Sequence, residues 1–138
     1  MDFNIVTQLS NDQLFQLERL FQLEWWTKGR ELSDIKRMVE HSDFIVGYID
    51  PETDELIAFA RVLTDYVYKA MIFDVIVKEA YRGRELGCAI INTILIEHSL
   101  KDVKHFELYC RPEMVPFYHK WGFSEKLGDL TFMRLINK

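Results

Sequence analysis

Val75-Ile76-Val77-Lys78-Glu79-Ala80-Tyr81-Arg82-Gly83-Arg84-Glu85-Leu86-Gly87-Cys88-Ala89 is the stretch that decides the fold of this chain. It opens as the end of an apolar, β-rich run, Ala70 to Val77, of the kind that fills a central strand. It closes as the start of a helix. Leu86, Ala89, Ile90, Ile94 and Leu95 recur at helical spacing, which predicts a helix to about Ser99. Between the two, Arg82 to Gly87 is a short polar turn containing two glycines. No Ser, Thr or Asp stands where it could cap the helix. Its first N–H groups therefore need an acceptor, and the helix dipole favours an anion there. Arg82 and Arg84 add two cations beside those amides. The turn reads as a pyrophosphate site, the alternative being a solvated basic turn with glycine for tight packing. It is not a P-loop, because no Gly-Lys-Ser/Thr follows, and it lacks the full Gly-x-Gly-x-x-Gly of a dinucleotide fold.

Working outward, Phe3 to Gln8 alternates as an edge strand. Asn11 or Asp12 is expected to cap a helix through about Glu24, with Leu14, Leu17, Leu20 and Phe21 on one face. Ser33 is expected to cap a second helix, Asp34 to His41. Asp43 to Ile49 and Leu56 to Leu63 read as paired strands about the turn at Asp50 to Asp54. Beyond the central helix, Lys104 to Cys110 reads as a strand and Pro112 to Trp121 as a helix that Gly122 ends. Phe123 to Lys126 and Leu130 to Leu135 read as closing strands. The order β α α β β β α β α β β, with a strand–turn–helix–strand unit in its middle, predicts an α/β fold with a partly parallel sheet.

Composition bounds the function. The 138 residues are about one domain's worth of chain, and 49% hydrophobic with 28% charged is the balance of a folded protein. The net charge of −5 disfavours a nucleic-acid partner, which needs a basic face. Apolar runs fall short of the roughly 20 residues of a membrane span, and no signal peptide is visible at Met1 to Ser10, so a cytoplasmic protein is expected. Cys88 and Cys110 fit neither a disulfide framework nor a metal motif, and no metal is expected.

A second segment, Pro116-Phe117-Tyr118-His119-Lys120-Trp121-Gly122-Phe123, follows the first by one helix and one strand. The pair resembles the GNAT superfamily of acyl-CoA-dependent N-acetyltransferases. That family's loop reads Arg/Gln-x-x-Gly-x-Gly/Ala and its later helix Tyr-x-x-x-Gly-Phe. Arg82, Gly87 and the whole of Tyr118-x-x-x-Gly122-Phe123 match. The likeness extends to members carrying Trp-Trp-x-x-Gly-Arg, here Trp25 to Arg30, with Ala60 to Asp65 and Asp74 to Val77. Plant-type arylalkylamine (serotonin) acetyltransferases look similar in the second half. Glu85 departs from the loop pattern, where a glycine would let phosphate approach the backbone.

The resemblance implies a single domain over residues 1–138, with a mixed central sheet and helices on both faces. It implies acetyl-CoA as cosubstrate and direct transfer to a primary amine, on a small molecule or a protein. Ile76 and Val77 would lie against the pantetheine, and Arg82, Gly83, Arg84, Glu85, Gly87, Cys88 and Ala89 would hold the pyrophosphate. Tyr118 would protonate the departing thiolate. Asp74, a carboxylate interrupting an apolar strand, would accept the amine proton or bind the cationic amine; the alternative is a buried partner of Arg61. Trp25, Trp26 and Arg30 would border the acceptor site, although aromatics there also serve as core and cover. Two other functions stay open. One is a catalytically weak GNAT-fold module that binds acyl-CoA or regulates a partner. The other is an interaction domain with no acetyl-CoA affinity. A homodimer is compatible with the pattern.

Overall fold

Alternating apolar side chains build a five-stranded mixed sheet in the order β1-β2-β3-β4-β5. The strands are β1 Asn4–Val6, β2 Phe44–Asp50, β3 Glu55–Thr64, β4 Lys69–Val77 and β5 His105–Glu107. The computed structural model describes residues 3–137. The first four strands pair antiparallel in sequence order, and β5 runs parallel to β4 after the crossover helix. The helices are α1 Asn11–Gln22, α2 Leu32–Glu40, α3 Leu86–Leu95 and α4 Val115–His119. Packing divides the chain into two compact units, one ending at Leu108 and one beginning at Tyr109.

In the first unit helices cover both sheet faces. Leu17, Leu20 and Phe21 of α1 and Ile35 of α2 pack on Ile45, Ile49, Leu56, Phe59 and Ile76. Phe21 meets Phe59 edge to face at 6.1 Å, and truncating either to alanine is expected to cost about 3–5 kcal/mol. Alternation turns Val46 and Tyr48 to the opposite face. There the Tyr48 hydroxyl lies 2.9 Å from Thr93 Oγ1 on α3, whose Ile90, Ile91 and Ile94 are buried.

Several boundaries differ from the sequence expectation. Ser10 caps α1, not Asn11 or Asp12. Its hydroxyl accepts from the Gln13 N–H at 3.2 Å, and the Gln13 side chain accepts from the Ser10 N–H at 2.9 Å. That reciprocal pair satisfies two donors at once. Glu31, not Ser33, is the residue before α2, and no side chain caps it. The helix expected at Pro112 to Trp121 is a 3₁₀ turn, Pro112–Met114, followed by the five-residue α4. The expected strands Phe123 to Lys126 and Leu130 to Leu135 do not form; these residues carry no ladder. An apolar pattern supplies a face for burial, but a strand also needs a partner for its backbone groups.

Candidate functional site

The parallel ladder between β4 and β5 is short. It joins Lys69, Ala70 and Met71 to His105, Phe106 and Glu107 and then stops. From Ile72 to Val77 that edge of β4 has no partner strand among the described residues. The Lys78 N–H donates to the Ile57 carbonyl of β3 at 2.7 Å, so alternation directs the Val77 N–H to the unladdered side. The Ile76 side chain is buried in the α1 cluster, which anchors the strand beside this opening.

The chain then enters the turn. Glu79–Tyr81 forms one 3₁₀ turn, and the Tyr81 hydroxyl donates to Asp50 at 2.6 Å, tying the turn to the end of β2. That bond holds Asp50 below the ordinary carboxylate range and pushes the Tyr81 phenol up. Arg84 lies over the Tyr81 ring at 5.1 Å. A groove of about 450 Å³ runs beside it, bordered by Thr53, Tyr81 and Arg84. Arg82 donates from Nε to the Val77 carbonyl at 3.1 Å and pairs with Glu24.

Gly83 has φ +81° and a side chain there would meet nothing within 4 Å, so its glycine answers to backbone conformation, not to space. Glu85 has φ +60° and ψ +21°, the left-handed region, immediately before α3. This gives the family's glycine preference at that position a backbone cause besides room for phosphate. No side chain caps α3, and its first turn holds no acidic residue. Gly87, Cys88 and Ala89 lie in that first turn and are partly exposed. The unladdered end of β4, the turn with Arg82 and Arg84, and the uncapped amides of α3 thus follow one another along the chain. The set fits a phosphate-bearing, extended ligand.

A β-bulge sits four residues before the turn opens. Phe59 pairs with Ile76 and Arg61 with Phe73, so Asp74 and Val75 stand together opposite Ala60. Asp74 takes φ +57° at this bulge. Its Oδ2 accepts from Arg30 Nη1 at 2.8 Å and Arg61 Nε at 2.7 Å, and its Oδ1 from Arg30 Nη2 at 3.1 Å. Burial raises its pKa, but the two guanidinium groups outweigh that and hold it below the usual carboxylate range. Such a carboxylate is a weak proton acceptor. In the structure the residue anchors two arginines, one of them the Arg61 that the sequence offered as partner.

Arg30 is held from several sides. It lies over the Phe21 ring at 4.8 Å, and Gln22 clamps its neighbourhood by accepting from the Gly29 N–H and donating to the Arg30 carbonyl, both at 3.0 Å. Thr27, fully buried, donates to the Phe21 carbonyl at 2.7 Å. These contacts fix the connection on which Trp25 and Trp26 stand. Both rings are exposed, Trp25 at 68% and Trp26 at 39%, so neither is a core residue. Sequence reading missed Gln22, Glu24 and Thr27. The Gln22 and Thr27 contacts are both local, and the Gln22 clamp has a signal in the Gly29 turn that follows it, whereas Glu24 pairs with the distant Arg82.

Tyr118 belongs to the second unit. It is buried, ringed by Phe117 at 5.0 Å, Phe123 at 6.0 Å and Trp121 at 6.4 Å. Its hydroxyl makes no hydrogen bond to any described residue, yet it is not sealed from solvent. Burial, with a smaller contribution from Cys110, pushes its phenol up to about 12. Other titratable side chains of the chain pair with one another. Lys69 Nζ contacts His105 and Glu107, each at 3.1 Å, and His119 bonds Glu125 at 2.8 Å. No cluster able to hold a metal occurs among the described residues.

Comparison with known proteins supplies independent evidence. Residues 11–123 match the model of the acetyltransferase (GNAT) family. An uncharacterized N-acetyltransferase, ycf52, of Porphyra purpurea is 28% identical over 120 residues, covering 86% of this chain and 68% of that protein. Serotonin N-acetyltransferase 2, chloroplastic, of Oryza sativa subsp. japonica is 32% identical over 111 residues, 76% of this chain and 55% of its own. Among solved structures, a protein of the GNAT family from Xanthomonas campestris pv. campestris superposes with a TM-score of 0.82 at 24% identity. That likeness covers 99% of this chain and 94% of the other.

Proposed function

The chain belongs to the acetyltransferase (GNAT) family, and we propose that it transfers the acetyl group of acetyl-CoA to a primary amine by direct attack. The observation that carries the cofactor assignment is the uncapped amino end of α3 beside Arg82 and Arg84, entered from the unladdered end of β4. Acetyl-CoA supplies the activated acyl group. The amides of the Arg82 to Ala89 turn, with the two guanidinium groups, bind and orient the pyrophosphate. Arg82 exchanges its Glu24 partner for phosphate. The Val77 N–H, on the unladdered edge, donates to the thioester carbonyl oxygen, where charge develops.

Tyr118 stays protonated throughout the working pH range and is the proton donor to the departing sulfur. Trp25 and Trp26 border the acceptor, held over the sheet by the Gln22 clamp and by Arg30 on Asp74. Asp74 positions these groups and does not take the amine proton, which passes to water.

A weakly active or regulatory module is the second reading, and Glu85 is its support: a carboxylate and a strained backbone stand where phosphate would lie. A coupled assay separates the two. Acetyl-CoA is supplied with a panel of primary amines and free thiol is followed. Amine-dependent thiol release is expected; saturable acetyl-CoA binding without release from any amine would favour the second reading.

A further inference from the structure

The Asp74 cluster is not electrically balanced. Two guanidinium groups against one carboxylate leave a charge of +1 in a largely desolvated place, with side-chain exposures of 32% for Arg30, 14% for Arg61 and 6% for Asp74. No second carboxylate pairs with either arginine among the described residues. A buried structural pair needs only one cation per anion, and an uncompensated buried charge is costly. The arrangement also leaves donors unspent. Arg61 gives Asp74 only its Nε, and its planar group rests on the Phe73 ring at 4.7 Å, which leaves both Nη groups without a hydrogen bond to any described residue. They are not sealed off, since no buried side-chain nitrogen lacks a partner. Arg30 is the more exposed of the two and stands five residues after Trp25. Asp74 occupies both Nη groups of Arg30, one of which also contacts Met38 Sδ at 3.7 Å, and holds Arg61 by Nε alone. The two Nη groups of Arg61 are therefore the fixed fork that faces a carboxylate or phosphate, with the Arg30 charge beside it.

We propose that Arg30 and Arg61, held by Asp74, form a subsite for an anionic group on the acceptor, so that the preferred amines carry a carboxylate or phosphate in addition to the reacting nitrogen. The inference rests on the acetyl-transfer reading of the same site and narrows it. A cationic amine with no anionic group meets a surplus of positive charge here and is a poorer acceptor. The subsite is distinct from the Arg82 turn, whose cations belong to the cofactor.

Two measurements on the full chain test this. In the first, ¹⁵N-labelled protein is titrated with inorganic phosphate, and the arginine Nε–H resonances are followed, assigned with Arg61→Lys and Arg30→Lys variants. Arg30 and Arg61 should shift saturably, while the exposed Arg19 drifts without saturating. In the second, KM is compared within matched amine pairs: tyrosine against tyramine for carboxylate, phosphoethanolamine against ethanolamine for phosphate. The anionic member of at least one pair should have a KM at least tenfold lower, and the pair that shows it identifies the anion. Arg61→Lys, which keeps the charge but loses the fork, should reduce that ratio several-fold with little change in KM for acetyl-CoA. Absence of a saturable shift at both arginines, or equal KM values within both pairs, overturns the proposal. Thiol release from none of the four amines would instead fail the acetyl-transfer reading, and the phosphate titration would still decide whether the anion subsite exists.

Discussion

Asp74 grips Arg30 with both carboxylate oxygens, at 2.8 and 3.1 Å, across 44 residues of chain. The bond joins the central strand to the connection after α1, and Arg61 of β3 closes it from the other side at 2.7 Å. Asp74→Asn removes the charge and leaves two arginines facing each other. Breaking a buried pair costs about 3–5 kcal/mol, and the part-exposure of Arg30 reduces this to roughly 2–3 kcal/mol. Urea unfolding at neutral pH measures it. Acetyl-CoA affinity in the variant is expected to stay close to wild type, while KM for the amine rises.

The same residue sets an acid sensitivity. Its carboxyl is held below the ordinary value in the folded chain, so the folded state binds fewer protons than the unfolded one as pH falls. The stabilisation is full above the unfolded carboxylate value of about 4 and is lost as pH falls through the depressed folded value. Wild type should therefore lose more stability than Asp74→Asn on acidification below about pH 4. Parallel acid-denaturation curves for the two proteins would contradict this.

Glu85→Gly relieves a left-handed backbone at the entrance to α3. Relief of such strain is of order 1–3 kcal/mol, against about 0.4–1 kcal/mol of added unfolded-state entropy, so a net gain of roughly 1 kcal/mol is expected. Loss of a carboxylate beside the proposed phosphate turn should also tighten acetyl-CoA. Thermal melting and calorimetry read the two effects separately. A less stable variant would mean that Glu85 makes a compensating contact.

Tyr118→Phe keeps the ring and removes the hydroxyl proposed as proton donor. Turnover should fall about 10²–10⁴-fold while acetyl-CoA affinity changes little. The phenol also carries a signature at high pH. Its folded value of about 12 lies above the unfolded value near 10, so its stabilisation is present below pH 10 and lost as pH rises through 12. Alkaline unfolding of wild type should steepen over that window relative to the variant, by roughly 2–3 kcal/mol. Coincident alkaline curves would show that burial does not perturb the phenol.

Ser10→Ala breaks the reciprocal cap of α1 and should cost about 1 kcal/mol. Denaturant midpoints of the two proteins measure it; unchanged stability would mean that the cap carries no energetic weight.

The α/β order, the parallel β4–β5 pairing and the uncapped α3 were legible because each depends on residues close in sequence. Ala70 to Val77 announced a central strand by composition, and the absence of Ser, Thr or Asp before Leu86 announced the bare amides. The Ser10 cap was also local, a Ser-x-x-Gln pattern, but Asn11 and Asp12 competed for the same role. The Asp74 bulge was not legible, since a left-handed non-glycine residue inside a strand has no local signal and the arginines on its carboxylate lie 44 and 13 residues away. Glu24 lies 58 residues from Arg82, and nothing local announces that pair. The expected strands at Phe123 and Leu130 followed alternation alone, and alternation does not say whether a ladder partner exists.

Calorimetric titration of acetyl-CoA into wild type and Arg82→Ala tests the central claim most directly. Wild type should bind one equivalent saturably at the turn before α3. Arg82→Ala should bind more weakly by about 1.5–3 kcal/mol, the scale of a charge-assisted contact, with the fold unchanged by circular dichroism. Equal affinity in the two proteins would contradict the assignment of this turn as the acetyl-CoA site.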